Sequence, residues 1–153
     1  MQTNYVHGSH EHLDLIRSLW EELNTHHAVV STSFSQDFQA NTFEQRKDKL
    51  HKRYAGGQLR VDLAQAAGQP VGYLISGLSA DGVGEIESIY IQAAYRSQAI
   101  GENLMQRALD WLDAEGAYTK VIEVAVGNER VYNFYARFGF YPRVTTLQQK
   151  EQA

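Results

Sequence analysis

The chain has 153 residues, 43% of them hydrophobic and 11% aromatic, with a formal net charge of −4 and no cysteine. That length and apolar content predict one domain with its own core and exclude a wholly disordered chain. The acidic balance argues against a nucleic-acid backbone as partner, and the missing thiols exclude disulfides, thiolate metal sites and a cysteine nucleophile.

No stretch approaches the ~18 apolar residues of a membrane span. Residues 1–12 show neither the basic n-region nor the apolar h-region of a signal peptide. The expectation is a soluble cytoplasmic protein with no membrane partner. No internal repeat or low-complexity linker divides the chain, so one domain over 1–153 is expected.

In chain order, Ser9 stands as a helix cap with Glu11 in the first turn, and Leu13, Ile16, Trp20 and Leu23 recur at helical spacing to about His26. Residues 28–36 read as a loop. Asp37 to Tyr54 reads as a second helix, closed by Gly56-Gly57. Its five basic residues, Arg46, Lys47, Lys49, Lys52 and Arg53, leave the rest of the chain with an acidic excess. Such a face suits an anion or plain solvent, and solvent is the expectation.

After Gly57 the period changes. Leu59, Val61 and Leu63 alternate with polar residues as in a half-buried strand. Ala67 to Pro70 is a turn, Val71 to Leu78 a second strand, Asp81-Gly82 another turn, and Gly84 to Ile91 a third strand, together an antiparallel meander. On the third strand Glu85 and Glu87 are in phase with Ile89 and Ile91, and the change of character between 87 and 89 predicts a bulge or the sheet entering a site. Ile100 to Glu115 is a helix with Ile100, Leu104, Ala108, Trp111 and Leu112 on one face, ended by Gly116. Thr119 to Val126 is an apolar strand. Asn128 caps a short helix through Phe138, Gly139 closes it, and Phe140 to Leu147 is the last strand. The sum is an α/β (α+β) sheet of mixed direction.

Two segments carry chemistry. From Ile89 to Gly101 a strand leads through a short loop into a helix start, where unpaired N–H groups and the dipole attract phosphate. Ser97, Ala99 and Gly101 are small enough to let a pyrophosphate approach, and Arg96 adds a fixed charge. Neither a Walker lysine pattern nor a full Gly-x-Gly-x-x-Gly is present. From Val126 to Phe140 a strand, a capped helix and a glycine stop follow quickly, with Tyr132, Phe134, Tyr135 and Phe138 crowded on the helix. Taken blind, each of these aromatics reads as core.

Together the two segments resemble the GCN5-related N-acetyltransferase (GNAT) superfamily, which binds acetyl-CoA. Arg96-Ser-Gln-Ala-Ile-Gly101 is similar to that family's pyrophosphate loop, with Ala99 in place of a usual glycine and Gln98 in place of a common basic residue. Asn128-x-x-Val131, Tyr135 and Gly139-Phe140 are similar to its second acetyl-CoA segment. The resemblance spans about Gln58 to Leu147 and implies a mostly antiparallel central sheet, flanked by helices and splayed where acetyl-CoA enters. It implies donor contacts from Ile89, Tyr90, Ile91, Arg96, Ser97, Gln98, Ala99, Ile100, Gly101, Glu102, Asn128, Val131 and Tyr135.

Acetyl transfer to an amine makes three demands. The amine must lose a proton, and with a pKa of about 10.4 only about one in 2,500 is neutral at pH 7. A carboxylate relieves that handicap, and Glu85 and Glu87 both stand on the strand before the loop. Either one fills the role, and both also read as solvated strand residues. Charge grows on the thioester oxygen and needs a backbone N–H, which the resemblance assigns to the strand end at Ile89 to Ile91. Coenzyme A leaves as a thiolate that a phenol can protonate, the part the resemblance gives to Tyr135. No cysteine intermediate can form, so direct transfer in a ternary complex is expected.

His7, His10, His12, His26, His27 and His51 form no recognised ligand spacing, and no metal is expected. His26 and His27 fall near the substrate-side loop. The reading is therefore acetyl transfer from acetyl-CoA to a primary amine of a small molecule. The acidic excess suggests a cation such as a polyamine or aminoglycoside, although surface solubility explains the same charge. A peptide amine, a non-catalytic acyl-CoA sensor and an unrelated phosphate-binding α/β domain are the alternatives. The resemblance also admits a homodimer.

Overall fold

The computed structural model describes residues 2–151, and the expected domain limits at 1 and 153 lie outside them. Strands β1 (Thr3–Gly8), β2 (Gln58–Ala66), β3 (Gln69–Leu78), β4 (Val83–Ile91) and β5 (Thr119–Ile122) lie side by side in that order. β1 to β4 pair antiparallel and β5 joins β4 in parallel. A parallel neighbour requires a crossover, and helix α4 (Ile100–Ala114) supplies it. Helices α1 (Arg17–Val30), α2 (Ser35–Ala40) and α3 (Phe43–Arg53) separate β1 from β2, and α5 (Tyr132–Ala136) follows β5. The sheet is mixed and mostly antiparallel, as the sequence implies.

Both faces of the sheet are covered. On one, Leu59, Val61 and Leu63 of β2 with Tyr73 and Ile75 of β3 pack on Leu13, Ile16, Leu19, Phe43 and Leu50. On the other, Ala64, Val71, Leu74 and Ile86 meet Ile100, Leu104, Met105, Ala108 and Leu112. This second cover explains why β2 is buried on both sides rather than half-buried. Asp62 is consequently 1% exposed and is neutralised by Arg60, whose Nε and Nη2 reach its carboxylate at 2.9 and 3.0 Å.

The structure corrects several sequence expectations. Ser9 makes no side-chain cap; the first turns, His10–Ile16, are a 3-10 helix, and α1 continues to Val30. The expected helix Asp37–Tyr54 is two helices. Asn41 is extended (φ −70°, ψ 132°), and Thr42 starts α3 with a capping box: Gln45 N–H donates to Thr42 Oγ1 at 3.1 Å, and Thr42 N–H to Gln45 Oε1 at 3.0 Å. β1 was not expected, because Tyr5 and Val6 are its only large apolar residues. Asn128 gives no side-chain cap. Gly139 does close α5: its φ is +85°, with its own N–H to Ala136 O at 3.0 Å and Phe140 N–H to Tyr135 O at 3.1 Å. The expected strand Phe140–Leu147 is absent. The segment runs without regular structure, with Val144 83% and Leu147 91% exposed. A strand needs a partner edge, and Pro142 removes one of its donors.

Candidate active site

β4 and β5 hydrogen-bond only from Val83–Ile86 to Thr119–Ile122. Beyond that point β4 continues to Ile91 while the chain after β5 leaves the sheet, so the two diverge. Between them opens a cavity of about 440 Å³, lined by β4 (Glu85 to Ile89), the segment Ile122 to Ala125, Asn128, Val131 and Tyr135 on one side, and by α1 and α3 on the other.

The bulge expected on β4 is present. Ile75 of β3 faces Ser88 and Ser76 faces Ile86, so Glu87 is the extra residue. Its carboxylate, 2% exposed, accepts from Arg46 Nη2 at 3.0 Å, from Arg53 Nη1 at 2.8 Å and from the Tyr54 hydroxyl. Arg46 also donates to the Glu87 carbonyl at 3.1 Å. Tyr54 can lie there because Gly77 leaves room: a Cβ at Gly77 would meet the Tyr54 ring at 2.0 Å. Burial pushes Glu87 up, but the Tyr54 and Arg53 hydrogen bonds and the Arg46 charge prevail and hold it below the ordinary carboxylate value. Glu85 has no hydrogen bond among the described residues, and its only ion pair is a loose 3.6 Å contact with Arg53. Burial first, then the Glu87 charge, raises its pKa to about 7. The structure thus separates two carboxylates that the sequence leaves equivalent.

The loop before α4 carries two non-glycine residues at positive φ, Ser97 (+68°) and Ala99 (+60°). Asn103 N–H to Ala99 O, 3.1 Å, is the first bond back along the helix. The N–H groups of Ile100, Gly101 and Glu102 therefore precede the helical ladder; those of Ile100 and Gly101 are free to bind an anion, while that of Glu102 faces its own carboxylate. These features fit a pyrophosphate. The side chains depart from expectation in three ways. Arg96 folds back, with Nε on Ile91 O at 2.9 Å and its guanidinium 5.4 Å from the Tyr90 ring centre. Glu102 is held by Arg137 of the chain after α5 at 2.6 Å. Gly101 serves helix packing, since a Cβ there would stand 3.2 Å from Phe134 Cζ.

Of the expected donor contacts, Ile89, Asn128, Val131 and Tyr135 line the cavity with Glu85 and Glu87. Tyr90 instead turns its hydroxyl to Glu22 at 2.9 Å, and Ile91 packs on the α4 face. The Tyr135 phenol is raised to about 12 by burial alone, so it is neutral throughout the physiological range. His27 lines the cavity and is lowered by burial and by His26. His26 bridges α1 to the second segment, 3.4 Å from Asn128 Oδ1 and 3.1 Å from Arg130 Nη2. His10 stacks on His51, ring centres 4.1 Å apart, away from the cavity lining.

Sequence reasoning missed the α3 wall, formed by Gln45, Arg46, Lys49 and Arg53. Gln45, Lys49 and Arg53 recur every four residues and Arg46 lies three before Lys49, which was the available signal. It also missed Glu123, which follows β5 into the cavity.

The profile of the acetyltransferase (GNAT) family matches residues 15–140. The chain belongs to that family. A curated relative, an uncharacterized N-acetyltransferase of Methanocaldococcus jannaschii, is 29% identical over 84 residues, covering 51% of this chain; the matched part is 37% of the relative's own length. Among solved structures, the PaiA N-acetyltransferase of Thermoplasma acidophilum in complex with coenzyme A superposes with a TM-score of 0.73 at 18% identity, covering 95% of this chain and 94% of that one. The aminoglycoside N-acetyltransferase AAC(6')-Iy in complex with CoA gives 0.70 at 13% identity, over 99% of this chain and 96% of that one. Likeness at these identities establishes the fold. Membership in the family removes the alternative of an unrelated phosphate-binding domain.

Proposed function

We propose that residues 1–153 form one N-acetyltransferase domain that moves an acetyl group from acetyl-CoA to a primary amine of a small molecule, by direct attack in a ternary complex. The observation that carries this reading is the gap between β4 and β5. It opens one cavity holding both a carboxylate raised to about 7 (Glu85) and a phenol raised to about 12 (Tyr135). Coenzyme A in two structural neighbours supports the donor, and the aminoglycoside enzyme among them supports a small-molecule acceptor.

In this reading the amine nitrogen attacks the thioester carbon. A C–N bond forms and the C–S bond breaks. Glu85 takes the ammonium proton, Tyr135 gives its proton to the departing thiolate, and the second proton shed by the nitrogen as the amide forms returns to the Tyr135 oxygen. An accepting carboxylate works best with a pKa near the working pH, which favours Glu85 over Glu87. Glu87 holds Arg46, Arg53 and Tyr54 in place and is a positioning residue. The Ser97–Glu102 backbone takes the pyrophosphate, and the β4 edge that β5 leaves free beyond Ile86 faces the thioester arm at Ile89 to Ile91.

The test is a thermal shift with acetyl-CoA, coenzyme A and ATP, followed by thiol release with a panel of amines. A ligand at about 100 times its Kd stabilises by roughly 2.7 kcal/mol, a rise of several degrees at this size. Stabilisation by acetyl-CoA with amine-dependent release is the expected result. Stabilisation without release from any amine would favour an acyl-CoA sensor, and no shift at saturating acetyl-CoA would end the reading.

A further inference from the structure

The bulk acidity of the chain favours a cationic acceptor, but the cavity wall does not. Three cations, Arg46, Lys49 and Arg53, and three carboxylates, Glu85, Glu87 and Glu123, line it. They are segregated. All the cations come from α3, and all the carboxylates come from β4 and the segment that follows β5. Glu87 is consumed by Arg46, Arg53 and Tyr54. Elsewhere on α3 the lysines are paired, Lys47 with Asp14 at 2.7 Å and Lys52 with Asp48 at 2.8 Å. Lys49, facing the cavity, has no ion-pair or hydrogen-bond partner among the described residues. Like charges three and four residues apart weaken a helix, so Arg46, Lys49 and Arg53 together leave a positive wall that an anionic group would offset.

We propose that the acceptor is a primary amine bearing a carboxylate close to its nitrogen, an amino acid in the simplest case. The amine sits at Glu85 and the carboxylate at Lys49 and Arg53. This rests on the acetyl-transfer reading above. Arg53 sets the spacing. Its Nη1 stands 3.6 Å from Glu85 Oε2, so a cation already lies beside the carboxylate of the base itself. A molecule whose amine and carboxylate are joined through one carbon complements that pair. A polyamine supplies nothing for Lys49 and adds like charge beside it.

The experiment uses matched acceptors that differ only in the carboxylate: L-tyrosine against tyramine, and L-lysine against cadaverine. Thiol release gives kcat/KM, and calorimetry gives binding of the N-acetylated products in the presence of coenzyme A. The carboxylate-bearing member of each pair should lead at least tenfold. Lys49→Gln should cut that lead at least fivefold through KM, Lys49→Arg should restore it, and both variants should keep the acetyl-CoA thermal shift. Equal or better use of the decarboxylated amines overturns the proposal, as does an unchanged lead in Lys49→Gln. So does failure of every amino acid to react, and of every N-acetyl amino acid to bind, while the acetyl-CoA shift persists. Loss of that shift in the wild-type chain would instead remove the transfer reading itself.

Discussion

Glu85 and Glu87 stand two residues apart on one strand and titrate in opposite directions, the first raised to about 7 and the second held below its ordinary value. The partners of Glu87 underlie this contrast. Glu87, the extra residue of the bulge, takes the Arg46–Arg53–Tyr54 cluster, while Glu85 is without a hydrogen bond among the described residues.

The contrast predicts stability changes of opposite sign. Glu85 has a raised folded pKa, so its contribution is complete below 4.5 and is lost as pH climbs towards 7. At pH 8 its charge is a burden, and Glu85→Gln should stabilise the fold by about 2–3 kcal/mol, an effect that vanishes near pH 4.5. Glu87 has a lowered pKa and contributes above the ordinary carboxylate value, with loss as pH falls through its own. Glu87→Gln leaves two arginines facing a neutral amide and should cost about 2–3 kcal/mol at pH 8, less than a fully buried pair because Arg53 is half exposed. Urea midpoints of both variants at pH 5 and 8 check this. Equal signs at pH 8 would contradict it.

Gly101 and Phe134 join the two sequence segments physically, at a separation that is tight for any Cβ. Gly101→Ala should destabilise by about 1 kcal/mol, because overpacking outweighs the helical gain of alanine. In a Phe134→Leu background the same change should become neutral or stabilising. A double-mutant cycle of thermal midpoints measures the coupling, and strict additivity would refute the contact.

Ala99 occupies the left-handed region at φ +60°. That conformation costs an L-residue roughly 1–2 kcal/mol, part of which glycine returns as unfolded-state entropy. Ala99→Gly should therefore stabilise by about 0.5–1 kcal/mol. Ala99→Val should destabilise. Thermal midpoints decide both, and a loss on Ala99→Gly would mean that the loop does not need this φ.

Tyr135 is half-buried on the cavity and neutral to about pH 12. Tyr135→Phe keeps the ring and removes the acid. It should lower kcat about 10²-fold with KM for acetyl-CoA within a factor of three. A ring that serves packing alone would leave kcat unchanged.

Much of this architecture was legible in the chain. The meander β2–β3–β4, the amphipathic α4 and the glycine stop at Gly139 each follow from local signals of period two, period 3.6 and positive φ. The bulge was legible as well, because Glu85 and Glu87 share phase with Ile89 and Ile91. What escaped depends on partners distant in sequence. β1 is polar and exists because β2 offers it an edge along Thr3–Gly8. Phe140–Leu147 has a strand's pattern but no pairing. The split between α2 and α3 was written in Thr42-x-x-Gln45, a capping box inside an otherwise helical run. At the site, the family resemblance drew attention to Glu85 and Tyr135, and both line one cavity. The difference between Glu85 and Glu87 came from Arg46, Arg53 and Tyr54, about thirty to forty residues earlier, and no local pattern encodes that meeting.

The pH dependence of kcat/KM for amine-dependent thiol release, wild type against Glu85→Gln, tests the central claim most directly. The wild-type rate should rise with pH and bend near 7, where Glu85 loses its proton. In Glu85→Gln the rate should fall at least 10²-fold and that bend should disappear. A variant that keeps both the wild-type rate and the bend would show that Glu85 does not take the amine's proton.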